Sequence, residues 1–349
     1  AGAITLSNLV SGEALNHSGT ATISSANAGS YTITNLSGIS IADGSGGTAS
    51  NYTLTGGTHN FTVNRRAVSV SGTRLYDATT NAVASDLSTH ANLVGSETLN
   101  LSGTGTIASK NVGSNKTVSV GTLALADGSN GGLAANYTLS GGTHQLTVNQ
   151  RPLNATLARQ YDGTTTAAGS TLSSFDALQG GETLTMTGSG TAASANVANG
   201  IAMSSNGTLA LADGTGLASN YSLNSTVINI AQRVLNSSGS KTYDANTDAL
   251  AGAITLSNLV SGEALNHSGT ATISSANAGS YTITNLSGIS IADGSGGTAS
   301  NYTLTGGTHN FTVNRRAVSV SGTRLYDATT NAVASDLSTH ANLVGSETL

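Results

Sequence analysis

The residues of this chain that could do chemistry return at a fixed interval. Tyrosine followed by aspartate stands at Tyr76-Asp77, Tyr161-Asp162, Tyr243-Asp244 and Tyr326-Asp327, which are 85, 82 and 83 residues apart. Asparagine followed by tyrosine stands at Asn51-Tyr52, Asn136-Tyr137, Asn220-Tyr221 and Asn301-Tyr302. All the glutamates, Glu13, Glu97, Glu182, Glu263 and Glu347, fill one slot of that period. A nucleophilic site needs a base beside a hydroxyl or thiol, and a metal centre needs several convergent ligands. There is no cysteine, and no serine stands out from the many. His59 and His144 follow Gly-Gly-Thr, but the corresponding stretch Asn224-Ser-Thr-Val227 has no histidine. His17, His90 and their copies are isolated. Asp43, Asp127, Asp213 and Asp293 each precede glycine, which is turn chemistry, and none has a second acid within a few residues for calcium. The sequence therefore predicts no catalytic residue, no cofactor and no metal: the chain is not an enzyme.

What positions these residues is repetition on two scales. Residues 1–99 recur unchanged as residues 251–349, and three variants of a module of about 83 residues fill the 250-residue period. The marks divide the chain into a partial module at 1–65, complete modules at 66–150, 151–232 and 233–315, the last continuing the sequence type of 1–65, and a partial module at 316–349. On this pattern the chain is a window onto a longer array, with targeting signals, anchors and any binding tip outside it.

Charged residues make up 8% of the 349, and the formal net charge is −5. With no basic run beyond Arg65-Arg66 and its copy, nucleic acid and anionic membrane are excluded as partners. No apolar run approaches the ~18 residues that would span a bilayer, so no membrane insertion is expected. A chain of small modules with no disulfide to brace them fits export through a narrow pore, which covalent cross-links would obstruct. One proline and regularly placed Val, Ile, Thr and Tyr argue for folding rather than disorder.

Within 66–150 the alternation of Ala67–Gly72 reads as a half-buried strand, and Leu75 and Tyr76 continue it to a turn at Asp77. The stretches 98–107 and 116–125 alternate again, Asn111-Val-Gly113 and Ala126-Asp-Gly128 are turns, and strands follow at Asn136–Leu139 and His144–Val148. About six strands per module are predicted. Asp86–Leu93 allows one turn of helix at most, because the matching stretch Ile4–Val10 reads as a strand. A parallel β-helix of ~20-residue rungs is disfavoured, since no rung-length motif repeats between the marks.

Two large aromatics per module make Tyr76, Tyr137, Tyr161, Tyr221, Tyr243 and Tyr302 structural core rather than a sugar-stacking platform. Arg66, Arg151, Arg233 and Arg316 open their modules directly after the last strand of the one before. These arginines are expected to clamp the inter-module junction by bonding carbonyls or an acid across it. The fixed glutamates imply fixed partners, against the plainer alternative of a solvated strand face.

Tyr161-Asp-Gly-Thr-Thr165, the Asn111-Val-Gly113 turn, Asn136-Tyr-Thr-Leu139 and Thr147-Val-Asn149 before Arg-Pro-Leu together resemble the YDG and MBG-type repeats of large bacterial surface adhesins. The resemblance spans every module, with Ala78, Ala245 and Ala328 departing from its glycine. It implies a compact, β-grasp-like fold repeated in haemagglutinin-like exoproteins that leave through an outer-membrane partner by two-partner secretion. It also implies cell–cell or cell–matrix adhesion in a biofilm.

The fold expected is all-β: a tandem array of compact β-rich modules forming an elongated rod. Links of two or three residues, without Gly/Ser or Pro tracts, restrict rotation between modules. The expected function is the stalk of a secreted or cell-surface bacterial adhesin, carrying a binding tip away from the cell. The alternative is that the repeats themselves bind exopolysaccharide, or identical stalks, with avidity.

Overall fold

The structure, a computed structural model, describes residues 4–348. Among them it is built from strands and single turns of 3-10 helix, with no α-helix. Contacts divide the chain into two compact units. One is Ala1–Pro152 with Leu178–Glu182 and Gly216–Ser222; the other is Leu153–Ala177, Thr183–Thr215 and Leu223–Leu349.

The centre of the first unit is a six-stranded sheet in the order Asn81–Val83, Thr104–Ile107, Gly113–Ser119, Gln145–Asn149, Ser69–Leu75, Thr89–Ala91. Its neighbours are antiparallel except for Gln145–Asn149 and Ser69–Leu75, which run parallel from Gln145 opposite Ser71 to Asn149 opposite Leu75. The period-two pattern explains this centre: Val68, Val70, Leu146 and Val148 are buried on one face, and the residues alternating with them are polar. A one-residue slip in register would expose all four.

Two sequence runs that alternate without interruption are each broken into two strands. Thr98–Ile107 splits at Gly103 into Leu99–Ser102 and Thr104–Ile107, and 116–125 splits at Gly121. Leu99–Ser102 leaves the main sheet to pair with Ala124–Asp127. Both glycines have positive φ, +85° and +56°, and a Cβ on Gly103 would lie 2.2 Å from the Thr122 carbonyl oxygen. Only glycine permits the bend. Period two is indifferent to such a kink, which is why the sequence reads as one strand.

The second unit repeats the plan twice. One sheet runs Thr166–Ala168, Ser189–Ala192, Ala198–Ser205, Tyr221–Ala231, Arg151–Gln160, Leu172–Phe175, its two central strands entering this unit at Leu223 and Leu153. The other runs Asp248–Leu250, Leu265–Ile273, Gly279–Asn285, His309–Asn314, Asn236–Thr242, Ile254–Ser257. Leu157, Ile228 and Ile230 fill the first core, and Ile273, Phe311 and Val313 the second. The first core also takes in Leu235 and Tyr302.

The helical turn allowed at Asp86–Leu93 lies slightly earlier, at Ala84–Asp86, and Thr89–Ala91 is a strand. The equivalent Ile254–Ser257 is a strand against Asn236–Thr242. The identical sequence at 4–7 forms none: β structure here follows the available neighbour rather than intrinsic propensity.

Candidate functional site

The fixed polar residues converge where one repeat passes into the next. In the first unit, the strand Ser69–Leu75 delivers Tyr76, which is wholly buried. The turn at Gly180-Gly181, both at positive φ, delivers Glu182, whose side chain is 7% exposed. Tyr221 follows the 3-10 turn Ala218–Asn220. Tyr76 Oη donates to Glu182 Oε1 at 2.6 Å and Tyr221 Oη donates to Glu182 Oε2 at 2.9 Å. The two rings pack edge to face at 5.3 Å and 78°, a geometry contributing about 0.5–1.5 kcal/mol beyond area burial. Lys110 Nζ donates to the same Oε1 at 2.6 Å and lies 5.9 Å from the Tyr76 ring centre.

Four further bonds close this joint. Arg151 Nε donates to the Tyr76 carbonyl at 2.7 Å. The Asn220 amide accepts from the Val112 N–H at 2.9 Å and donates to Asn111 Oδ1 at 3.0 Å. Gln150 Nε2 donates to the Ser219 carbonyl at 3.2 Å.

The second unit rebuilds the arrangement around Glu263. Tyr161 Oη and Tyr302 Oη donate to its two oxygens, each at 2.7 Å, with their rings at 5.4 Å and 79°. Asn301 accepts from the Val197 N–H at 2.9 Å and donates to Asn196 Oδ1 at 3.0 Å. Arg233 Nε donates to the Asn258 carbonyl at 2.6 Å, and its Nη1 reaches the Tyr161 carbonyl at 3.4 Å. Parts of the same pattern recur at the other two joints. Asn136 accepts from the Ala28 N–H at 2.8 Å, Tyr243 Oη donates to Glu347, and Arg316 Nη1 donates to the Tyr243 carbonyl at 3.3 Å.

The electrostatics follow from burial. Burial first, with the Glu182 carboxylate adding to it against the pull of the Gln179 amide, pushes Tyr221 up to about 12. Burial and then the Glu263 carboxylate push Tyr302 up to about 12 as well. Tyr76 and Tyr161 rise for the same two reasons. Burial also works to raise Glu182, but the donors Lys110, Tyr76 and Tyr221 outweigh it and hold the carboxyl below its ordinary value. The site keeps phenols neutral and a carboxylate charged, which suits structural bonding.

Tyr76, Tyr137, Tyr161, Tyr221 and Tyr302 are buried, and Tyr243 is half-buried. Arg151, Arg233 and Arg316 reach carbonyls of the repeat before, whereas Arg66 is exposed on the short strand whose register sets it opposite Tyr137. The second conserved-spacing basic residue has a different job: Arg74, Arg159 and Lys241 pair with the aspartate three residues on, within their own repeat. Sequence reasoning left the glutamates without a named partner. The signal was there, since in a charge-poor chain the glutamates stand 39 or 40 residues before the Asn-Tyr tyrosines and 102–106 after the Tyr-Asp tyrosines.

The histidines after Gly-Gly-Thr are core fittings. His144 is buried, with Nε2 2.8 Å from the Leu139 carbonyl and Nδ1 accepting from the Val70 N–H at 3.3 Å. Among the described residues no group of three His, Cys, Asp or Glu converges.

No curated protein matches the chain. The family described as the YDG domain matches residues 60–146, 144–228 and 231–310. These matches cover most of the sequence and contain the tyrosines and glutamates of both complete clusters, Tyr76, Glu182 and Tyr221 and then Tyr161, Glu263 and Tyr302. The chain therefore belongs to the YDG domain family, present as three tandem repeats.

Proposed function

We propose that this chain is the stalk region of a large secreted bacterial surface adhesin, extending a binding tip and supporting cell–cell or cell–matrix adhesion in a biofilm. The observation that carries the reading is that two successive joints use the same residue types in the same bonds among tyrosine, glutamate and asparagine, with an arginine reaching the first tyrosine's carbonyl in each. A joint tied by a buried carboxylate between two phenols and by an asparagine bonded to a backbone amide resists rotation, and a stalk needs joints that resist rotation. On this reading the modules run 66–150, 151–232 and 233–315, and binding and export functions reside outside the chain. The resemblance noted above extends it to a CdrA-like matrix adhesin exported by two-partner secretion.

Small-angle scattering on the 349-residue chain tests the reading. The chain should give an extended profile, and Arg151→Ala with Arg233→Ala should make it measurably more flexible. A compact profile, or one unmoved by both substitutions, would overturn it. The competing reading, a multivalent array binding exopolysaccharide or identical stalks, predicts direct binding by this chain. Burial of five of the six repeat-core tyrosines keeps those rings from serving as the aromatic platform such sites use.

A further inference from the structure

The two complete joints differ in the cation they offer the glutamate. Lys110, on the Ser109–Val112 turn, bonds the Glu182 carboxylate at 2.6 Å. In the next repeat the corresponding turn reads Ser194-Ala195-Asn196-Val197, so Ala195 stands where Lys110 would be. The two phenols on the two carboxylate oxygens, the edge-to-face rings and the asparagine bonded to the turn are retained, while Gly163 stands in place of Ala78 and Arg233 bonds Asn258 as well as the tyrosine carbonyl that Arg151 bonds.

We infer that the joints of this array are graded in their response to acid, the Glu263 joint opening before the Glu182 joint, with residues 110 and 195 setting the order. The inference deepens the stalk reading and rests on it for its use, not for its test. An ionised carboxylate accepts from both phenols at once. Adding a proton turns one oxygen into a hydroxyl, so one phenol loses a charge-assisted bond and the two repeats lose a tie.

At Glu182 the proton must compete with the Lys110 ammonium. The groups facing Glu182 are the phenols of Tyr76 and Tyr221 and that ammonium, with Arg151 occupied on the Tyr76 carbonyl. At Glu263 the facing groups are the phenols of Tyr161 and Tyr302. Asp162, which also bears on Tyr161, is paired to Arg159, and Arg233 is spent on Asn258 and the Tyr161 carbonyl. Gly163 lies beside the carboxylate, where an added Cβ would stand 3.4 Å from Glu263 Oε1 and 2.9 Å from Val260 Cγ1. Among the described residues no lysine or arginine forms an ion pair with Glu263. The Lys110 side chain is 42% exposed, so solvent screens its hold and the difference between joints is modest, about fivefold.

Each joint carries its own reporter. The Val112 and Val197 amides are bonded across their joints to Asn220 and Asn301, so their hydrogen-exchange protection falls when the joint opens. Between about pH 7 and about pH 4, a span that covers glutamate titration, protection at Val197 in the full chain should fall about fivefold more than at Val112. Ala195→Lys should remove that excess. Lys110→Ala, or Lys110→Met where the aliphatic stem is needed for packing, should bring Val112 down to match Val197. Equal losses at the two amides in the unsubstituted chain, or indifference to the exchanges at 110 and 195, would overturn the inference. Scattering at neutral pH separates the two claims: a compact chain fails the stalk reading alone, and equal amide loss fails the grading alone.

Discussion

At the scale of single residues, the joint works because a glutamate has two oxygens and each is given to a different tyrosine. Tyr76→Phe keeps the ring and its packing against Tyr221 but removes a donor from a carboxylate that is nearly out of solvent. Such a loss costs about 1–3 kcal/mol, and chemical denaturation should record it. Arg74→Ala, by contrast, removes an ion pair internal to one repeat and should leave the cross-joint amide of Val112 protected. The raised phenols set an alkaline limit as well. A group whose folded value lies above its unfolded value stabilises fully below the unfolded value and loses that stability as pH rises through the folded one. For Tyr221 and Tyr302, ordinarily at 10.0 and here at about 12, stability should decline between those two values, and a pH titration of thermal unfolding would show it. A third residue, Thr226, is buried where the other repeats carry histidine, and its hydroxyl has no partner. Thr226→Val keeps the shape and removes the unsatisfied group, so it should raise stability by about 1 kcal/mol, read as a higher midpoint at unchanged denaturant slope.

At the scale of elements, the strands were legible and their bends were not. Val68, Val70, Leu146 and Val148 declare two strands by alternation, and their burial at the centre of the sheet is what alternation predicts. The parallel pairing of Ser69–Leu75 with Gln145–Asn149 was not readable, because period two is the same for either strand direction. Nor was the kink at Gly103, which looks like one more small residue in a glycine-rich chain until its carbonyl neighbour is known. The difference is testable by comparison with a second glycine. Gly131 has φ +85° and nothing within 4 Å of a built Cβ, while Gly103 has the same φ with a carbonyl oxygen at 2.2 Å. Both should lose about 1 kcal/mol or more to backbone strain when changed to alanine. Gly103→Ala should lose more, and far-ultraviolet melting would separate the two.

At the scale of the whole molecule, the period itself was the most legible feature, and the tyrosines within it were read as core. Their second role was hidden because Tyr76, Tyr161 and Tyr243 bond glutamates 102–106 residues away in the next repeat, while Tyr137, Tyr221 and Tyr302 bond the glutamates of their own, and sequence spacing shows that two residues keep step without showing that they touch. That coupling has a thermodynamic consequence. In a tandem array, stability is approximately a sum of the stabilities of the repeats and of the interfaces between neighbours. When the interfaces contribute strongly, the repeats unfold together; when they are weakened, each melts near its own temperature. Glu182→Gln with Glu263→Gln keeps the size of both side chains and alters none of Leu157, Ile228, Ile273 or Phe311, yet it removes the charge that both phenols bond in each case. The calorimetric transition of the doubly substituted chain should broaden, and its van't Hoff enthalpy should fall further below the calorimetric enthalpy than in the unsubstituted chain. A transition that moves to lower temperature without broadening would mean that the glutamates serve the repeats themselves rather than the joints between them.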